Sequence, residues 1–311
     1  PVRLIKNPMA LARERTATNR GYNWAGITLG DSQLRLWGIP HGRNDAWKSK
    51  VIDLVANRKR ISAFELTDQN LHNYYLDARK FKPKFIYGYV SAVNEFAHFI
   101  VRHNLAPIES LKCIVTTSEV LTDADRSNIE GAFKVKVYNE YGCGEVGSIA
   151  HECENGSLHI VSDNLIVETD SRKGEAGELI VTDLFNKVTP LIRYRIGDYG
   201  TLSEQKCDCG RTLPLLQSVH GRAYDLLLMP DGRQVHPESA IYVFEDLQKV
   251  DKFFSKFQVI QTSVDELVIN VVPTSRYTKG VEKEIIENLK IQLHAGLNVK
   301  VNLVAAIERE A

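Results

Sequence analysis

The stretch from Lys134 to Gly147 combines residue types that can hold a nucleotide. Valines alternate with lysines at its start, which predicts a β-strand. Three glycines then follow within six residues, and Glu145 stands among them. Glycine lets a ligand approach the backbone closely, and a carboxylate beside phosphate oxygens is a typical Mg²⁺ ligand. A strand that runs into such a loop is therefore a candidate nucleotide site.

Two other interpretations of this loop have to be weighed. The glycines at 142, 144 and 147 match the G-x-G-x-x-G pattern of dinucleotide-binding proteins, but that pattern requires a helix that begins in the loop. The segment that follows, Ser148 to Cys153, is too short and too mixed for such a helix. The plainest alternative is a strand-to-loop turn without a ligand.

The elements around this stretch predict a β-α-β unit. Residues 111–117 are strand-like, Thr122 is suited to cap a helix over 122–133, and a second strand covers 134–139. Strands joined in this way are parallel, so their carboxyl ends lie on one edge of the sheet. Thr117 and the segment Asn139 to Gly142 should therefore meet in one crevice, where open α/β sheets bind ligands.

Length and composition are those of an ordinary globular protein. The chain has 311 residues, which suggests about two domains, with 43% hydrophobic and 25% charged residues. Lys plus Arg and Asp plus Glu number 39 each, so bulk charge indicates neither nucleic acid nor an anionic membrane. No apolar run approaches the roughly 18 residues of a membrane span, and no signal peptide opens the sequence. Five cysteines argue against a disulfide framework, and we predict a cytoplasmic protein.

The second half of the chain has a different pattern. Residues 157–217 form short segments separated by turns, which predicts antiparallel β structure. After Gly221, a compact run of strands and helices extends to the end. The predicted fold class is α/β. A large domain over 1–221 combines a parallel sheet with a β-rich subdomain, and a small, mobile α+β domain covers 222–311.

Several segments together resemble the phenylacetate–coenzyme A ligase-like branch of the adenylate-forming enzymes, which includes relatives from capsular polysaccharide biosynthesis. They are Thr-Thr-Ser-Glu at 116–119, Tyr-Asn-Glu-Tyr-Gly-x-Gly-Glu at 138–145, Gly-Glu-Leu-Ile-Val-Thr-Asp at 177–183, Pro-Leu-Ile-Arg-Tyr-Arg-Ile-Gly-Asp at 190–198 and Gly-Arg at 221–222. The resemblance spans the chain and is most specific from 138 to 222. It implies an adenylate-forming fold. It also implies that ATP converts a carboxylic acid into an acyl-adenylate, which then meets a thiol, usually coenzyme A.

The resemblance also implies roles for single residues. Tyr141 offers a flat face to an adenine ring, and Asn139 or Glu140 can hydrogen-bond the edge of that ring. Glu145 resembles the family's magnesium-binding glutamate. Asp198 resembles the aspartate that takes both ribose hydroxyls.

Arg222 resembles the arginine beside ribose and phosphate at the domain junction. Taken singly, each residue has a plainer alternative: Asp198 could simply close a turn after Gly197, and Arg222 could be a surface arginine. We assign Glu145 and Thr117 to catalysis. The cofactor-binding set is Asn139, Glu140, Tyr141, Gly142, Asp198 and Arg222.

Two expectations concern the ends of the chain. Pro1 resembles the proline that ends the family's phosphate loop. The family's C-terminal lysine normally follows the last strand, whereas this sequence stops at Ala311. The resemblance therefore predicts a chain that lacks both segments, binds nucleotide more weakly than a longer relative and turns over little.

A second group of residues has the chemistry of metal ligands. His151-x-Cys153 and Cys207-x-Cys209 are two closely spaced pairs in the β-rich region, tighter than the usual C-x-x-C. Some members of the resembled family carry a comparable zinc cluster, so we predict one structural Zn²⁺ held by these four side chains. The alternative is a set of reduced, buried thiols with an unrelated histidine.

The sequence thus predicts an acid–thiol ligase-like enzyme that uses ATP/AMP, Mg²⁺, coenzyme A and a structural Zn²⁺. Its expected partners are a small-molecule carboxylic acid and coenzyme A or another thiol acceptor, without nucleic acid or membrane, and a homodimer is left open. One rival is a non-catalytic, zinc-stapled nucleotide-binding scaffold of a polysaccharide pathway. The other is a nicotinamide oxidoreductase. The acid substrate cannot be read from the sequence.

Overall fold

A computed structural model of the chain describes residues 4–38, 43–172, 174–221, 227–235 and 238–307. The helices are α1 (Pro8–Trp24), α2 (Arg43–Val55), α3 (Asp68–Phe81), α4 (Val90–Arg102), α5 (Asp123–Phe133), α6 (Glu238–Val250) and α7 (Lys279–Gln292). The strands are β1 (Gln33–Trp37), β2 (Arg58–Ser62), β3 (Phe85–Tyr89), β4 (Cys113–Thr117), β5 (Lys136–Cys143), β6 (Gly147–Glu152), β7 (Leu158–Ile160), β8 (Leu165–Thr169), β9 (Gly177–Asp183), β10 (Tyr194–Ser203), β11 (Leu215–Gly221), β12 (Leu227–Leu228), β13 (Gln234–Val235), β14 (Phe254–Ser263), β15 (Glu266–Pro273) and β16 (Asn298–Leu303).

The chain divides into two compact units. The first consists of Pro1–Leu36, Asp53–Ile61 and Asp68–Ala223, and the second of Trp37–Ile52, Ser62–Thr67 and Tyr224–Ala311. The second unit thus takes up two early segments that the sequence pattern did not group with the C-terminal part. The domain boundary at 221 stays a prediction.

The first unit is built on an 11-stranded sheet in the order β2-β1-β3-β4-β5-β6-β7-β11-β10-β9-β8. From β1 to β5 the neighbouring strands are parallel. From β5 onward every neighbouring pair is antiparallel. The predicted α/β class is confirmed, and the parallel sheet and the β-rich region form one continuous sheet.

The predicted β-α-β unit consists of β4, α5 and β5. Thr122 caps α5, since its hydroxyl accepts a hydrogen bond of 3.1 Å from the Asp125 backbone N–H. The helix ends where Lys134 takes a left-handed conformation with φ 58°. β4 and β5 pair in parallel with Thr117 opposite Glu140. The carboxyl ends of the two strands therefore lie side by side, as the sequence predicts.

Helices cover both faces of the parallel strands. α4 and α5 pack together on one face, where Phe96 of α4 contacts Phe133 of α5 edge to face at a ring distance of 5.6 Å. On the other face, Tyr22 of α1 packs against Phe85 at 5.6 Å. Burying a side chain of this size stabilises a fold by about 1.5–3 kcal/mol. These contacts hold the helices against the sheet that carries the candidate site.

The second unit contains a three-stranded sheet in the order β14-β15-β16 and the β12–β13 hairpin. β14 and β15 are antiparallel, whereas β15 and β16 are parallel. Phe244 of α6 and Ile285 of α7 share one core with Ile269 of β15. Within the described ranges of both units, no helix has the length and apolar character that crossing a membrane requires.

Candidate nucleotide site and metal centre

Two side-chain contacts join the end of β5 to β10. The Tyr141 hydroxyl donates a hydrogen bond of 2.8 Å to Oδ2 of Asp198, and Asp198 is only 7% exposed. The Tyr194 hydroxyl lies 3.4 Å from Oε1 of Glu145. In the sheet, β6, β7 and β11 stand between β5 and β10, so the sheet must curl to bring these residues together. Tyr141, Glu145 and Asp198 therefore lie close together, and we call the place where they meet at the end of β5 the crevice.

Asn139 and Thr116, at the ends of β5 and β4, each have a buried oxygen atom without a hydrogen-bond partner among the described residues. The two residues are register partners in the sheet. The atoms are Asn139 Oδ1 and Thr116 Oγ1. Buried polar atoms are nearly always paired, so these two atoms at adjoining strand ends are candidates for hydrogen bonds that a bound ligand or water would supply.

The structure places Glu140 apart from Asn139 and Tyr141. Successive side chains of a strand point to opposite faces, so the Glu140 carboxylate lies on the α1 side of the sheet. There it accepts hydrogen bonds from Ser148 Oγ at 2.5 Å and from the Tyr22 hydroxyl at 3.4 Å. Of the two residues predicted to hydrogen-bond the adenine edge, only Asn139 is on the side of Tyr141.

The glycine loop has a structural explanation that differs from a dinucleotide fingerprint. It runs into strand β6, so the helix that the G-x-G-x-x-G pattern requires is replaced by a strand. A Cβ on Gly142 would lie 2.4 Å from the Gly147 carbonyl oxygen. Gly147 itself has φ +77°, and a Cβ there would lie 2.3 Å from Cδ of Glu14. The turn is closed too tightly for larger residues.

Some residues named in the sequence interpretation lie outside the described residues. These are Pro1, Arg222 and Ala311. Thr117 is described: it is buried at the end of β4, and its side chain contacts Tyr87.

A second group brings three thiols and one imidazole together. The ligand atoms of Cys153, His159, Cys207 and Cys209 all lie within 4.8 Å of one another. The sulfur atoms of Cys153 and Cys207 are 3.7 Å apart, and Cys209 Sγ is 3.3 Å from His159 Nε2. A tetrahedral Zn²⁺ with Zn–S bonds of about 2.3 Å places two sulfurs roughly 3.8 Å apart. The donor set and its spacing therefore fit zinc.

The histidine of this cluster is His159, which corrects the predicted assignment of His151. The two histidines face each other on β6 and β7. The His151 ring packs edge-on against Tyr22 and Trp24, and its Nε2 has no partner among the described residues. Cys153 follows the end of β6 and closes the hairpin through a hydrogen bond from its N–H to the Ser157 carbonyl. This turn carries Cys153 toward His159. The Asn155-Gly156 pair, a strong hairpin signal, could have pointed to His159.

The surroundings of the cluster shift the pKa values of two of its thiols in opposite directions. A hydrogen bond from Ser157 and the backbone N–H of Cys209 lower the pKa of Cys207 to about 6. Burial raises the pKa of Cys153 to about 11. The guanidinium of Arg211 lies 4.6 Å from the centre of the Trp24 ring and donates a hydrogen bond of 2.7 Å to Glu154. A positive charge thus stands beside the sulfurs.

Comparisons with known proteins find similar chains. The family model for the CapK C-terminal domain matches residues 227–311. Protein CapK of Staphylococcus aureus is 27% identical over 247 residues, which cover 79% of this chain and 54% of that protein. A phenylacetate-coenzyme A ligase of Thermus thermophilus is 26% identical over 231 residues, 69% of this chain and 52% of the ligase. The chain therefore spans about half the length of these two curated relatives.

Solved structures show the same fold. A 2-hydroxyisobutyryl-CoA ligase in complex with 2-HIB-AMP and CoA aligns with a TM-score of 0.59 at 20% identity, over 96% of this chain and 67% of the ligase. An amide bond synthetase from Marinactinospora thermotolerans aligns with a TM-score of 0.52 at 12% identity, over 95% of this chain and 62% of the synthetase. The predicted resemblance is confirmed: the chain is similar in sequence to Protein CapK and to phenylacetate-coenzyme A ligases, and its fold is that of adenylate-forming coenzyme A ligases.

Proposed function

We propose that the crevice at the ends of β4 and β5 binds the AMP part of ATP and of an acyl-adenylate, and that the chain is part of an acid–thiol ligase. The hydrogen bond of 2.8 Å between Tyr141 and Asp198 carries the proposal. Adenine and ribose are adjacent parts of one nucleoside, so the residues that hold them have to be neighbours. The phenylacetate-coenzyme A ligase relatives and the ligase structure that holds an AMP adduct and CoA support it.

Each residue has a role that suits its chemistry. The Tyr141 ring stacks on adenine, and the unpaired Asn139 Oδ1 accepts a hydrogen bond from the exocyclic amino group. The Asp198 carboxylate accepts hydrogen bonds from the ribose hydroxyls. Glu145 holds Mg²⁺, which would offset the charge of the phosphates. Arg222 keeps its proposed place beside ribose and phosphate through the family resemblance.

The proposed reaction needs little acid–base chemistry. The carboxylate of the substrate attacks the α-phosphorus of ATP, and pyrophosphate leaves. A thiol, such as coenzyme A, then displaces AMP from the acyl carbon. The protein's contribution is to position the reactants and to neutralise charge. We assign Thr117 and Glu145 to the end of the crevice where the substrate carboxylate and the α-phosphate of ATP would react.

Calorimetric titration with AMP tests the site. We expect Asp198→Asn to weaken AMP binding about 10- to 100-fold, because hydrogen bonds to a charged acceptor contribute about 1.5–3 kcal/mol each. Asp170→Asn is the matched control, since Asp170 is exposed and paired with Arg195. Equal AMP affinity of the wild type and Asp198→Asn would contradict the proposal. Tighter binding of NAD than of AMP would favour the oxidoreductase rival.

A zinc-stapled scaffold without catalysis is the second candidate, since the thiol–imidazole cluster fits a scaffold as well as it fits a ligase. Pyrophosphate release upon addition of ATP, Mg²⁺ and a panel of aryl and fatty acids separates the two. Release that depends on the acid supports the ligase. Nucleotide binding without release in any acid supports the scaffold.

We also infer that Cys153, His159, Cys207 and Cys209 hold one structural Zn²⁺. Four protein ligands leave no open position for a substrate, so the ion would stabilise the fold rather than take part in the reaction. It would join the β6–β7 hairpin to the segment before β11.

A further inference from the structure

Glu140 is a buried carboxylate whose hydrogen-bond partners are hydroxyl groups. It is 7% exposed and accepts from Ser148 and Tyr22. Tyr87 also contacts it. Burial raises the pKa of both Tyr22 and Tyr87, so both phenols keep their protons and act as donors. The carboxylate is therefore well oriented.

Within the part of the chain that the structure describes, no cation forms an ion pair with the Glu140 carboxylate. Among the described residues, none of its hydrogen-bond partners is a lysine, arginine or histidine. Arg35 lies nearby, but its guanidinium faces the Tyr87 ring at 5.0 Å. His151 is its neighbour on β6, and Nε2 of that ring is buried without a partner among the described residues. A buried carboxylate without a paired cation costs several kcal/mol, so a bound cation that supplied the missing charge would be stabilised here.

The position of Glu140 points to the acyl end of the ligand. It lies beside Thr117 at the carboxyl ends of β4 and β5, next in sequence to Tyr141. Asn139 and Tyr141 project on one face of β5, where the adenine is proposed to bind, and Glu140 projects on the other. The two faces adjoin at the carboxyl end of β5, so a ligand whose base lies on the first face can extend past the strand end and place the group beyond its phosphate on the second face. In an acyl-adenylate that group is the acyl chain.

We propose that Glu140 selects a carboxylic acid that carries a positively charged amino group, such as an amino acid or an aminoalkyl-substituted acid. The ammonium group forms the ion pair that the buried carboxylate lacks, and its remaining N–H can donate to His151 Nε2. This substrate class rests on the proposed function. It makes Glu140 a specificity-determining residue rather than a ligand of adenine.

Matched pairs of acids test the proposal on the wild-type chain. Phenylalanine is compared with 3-phenylpropanoate, and 4-(aminomethyl)benzoate with 4-methylbenzoate, each titrated calorimetrically in the presence of saturating AMP. We expect at least one ammonium-bearing acid to bind 10-fold or more tightly than its neutral partner. Equal or weaker binding of every ammonium-bearing acid overturns the proposal.

Two variants test whether Glu140 causes the preference for ammonium-bearing acids. Glu140→Gln should abolish the preference for the ammonium group, whereas Glu130→Gln on α5 should keep it. Retention of the full preference in Glu140→Gln also overturns the proposal. AMP affinity is measured first in the same samples, because it distinguishes a failure of the proposed function from a failure of the substrate-class assignment. If the wild type does not bind AMP, the proposed function fails. If AMP binds normally and no amino preference is found, only the assignment of the substrate class fails.

Discussion

The Tyr141 hydroxyl donates its hydrogen bond to the carboxylate that is proposed to hold the ribose, Asp198. The contact joins strands that are not neighbours in the sheet. Under the proposed function, this one side chain would provide both a ring for the base and a hydrogen-bond donor that orients the acceptor for the sugar. This double role can be separated by mutation.

Tyr141→Phe keeps the ring and removes the donor. We expect AMP affinity to fall about 3- to 10-fold, because a single hydrogen bond contributes about 0.5–1.5 kcal/mol. Tyr141→Ala removes the ring as well and should cost about 10-fold more, since stacking on an aromatic ring is lost. Calorimetry with AMP measures both values. Equal effects of the two substitutions would mean that the ring does not contact the base.

The zinc assignment predicts different roles for the two facing histidines. His159→Ala should lower the zinc content from about one equivalent to a small fraction after dialysis against a weak chelator, because it removes one of four ligands. His151→Ala should retain the zinc. Elemental analysis of the purified proteins gives the stoichiometry. Zinc loss in His151→Ala with retention in His159→Ala would restore the original sequence prediction.

Metal removal should also destabilise the fold of the first unit. A strong chelator is expected to lower the unfolding midpoint by several degrees in the wild type, since binding to the native state alone adds to stability. In His159→Ala the chelator should have little effect. An unchanged midpoint in the wild type, with zinc shown to be absent, would contradict a stabilising role.

Arg211 is expected to tune zinc affinity. Three thiolates, one neutral imidazole and Zn²⁺ carry a net charge of −1, and Arg211 supplies a positive charge against Trp24 at the edge of the cluster. Arg211→Gln should weaken zinc binding about 10-fold, in the range typical of residues outside the ligand shell. Competition with a chromophoric chelator measures it.

Arg20→Gln is the control for Arg211→Gln. Arg20 also lies over Trp24, at 6.0 Å, but pairs with Asp163 away from the sulfurs. A comparable loss of affinity in both variants would indicate packing on Trp24 rather than charge as the cause.

Gly21 of α1 provides a stability test. A Cβ at this position would lie 2.2 Å from Cγ of the His151 ring, so Gly21→Ala should destabilise the protein by about 1–3 kcal/mol. Gly131→Ala on α5 is the matched control, because a Cβ there meets nothing within 4 Å. Alanine favours a helix over glycine by up to about 1 kcal/mol, so this control should be neutral or stabilising. Urea unfolding of both variants measures the difference.

Local patterns predicted much of the first unit. The capping residue Thr122, the β-α-β unit and the convergence of Thr117 with the Asn139–Gly142 segment all follow from short-range rules and from the handedness of crossovers. The family motifs then placed Tyr141 and Asp198 together although 57 residues separate them.

Other features were not predicted, for reasons that differ from one to the next. Ser91 is of a residue type that often caps a helix, but α4 begins at Val90, and Glu119 accepts hydrogen bonds from the Ser91 N–H and hydroxyl. The family motif groups Glu140 with Asn139, although strand alternation places them on opposite faces. Spacing to Cys153 favours His151, whereas the hairpin turn brings His159 to the thiols. Only the Ser91 contact depends on a distant neighbour, since strand alternation and the hairpin turn are local.

The three consecutive strands β5, β6 and β7 carry Glu140, His151 and His159 as direct partners across the sheet. A slip of β6 by one residue would turn every side chain of that strand to the opposite face. Cys153 and His159 lie on the two sides of the β6–β7 hairpin, so an ion bound by both would fix the pairing register of β6 and β7. A zinc ion that takes no part in the reaction would in this way determine which side chains of the neighbouring strands face the bound ligand.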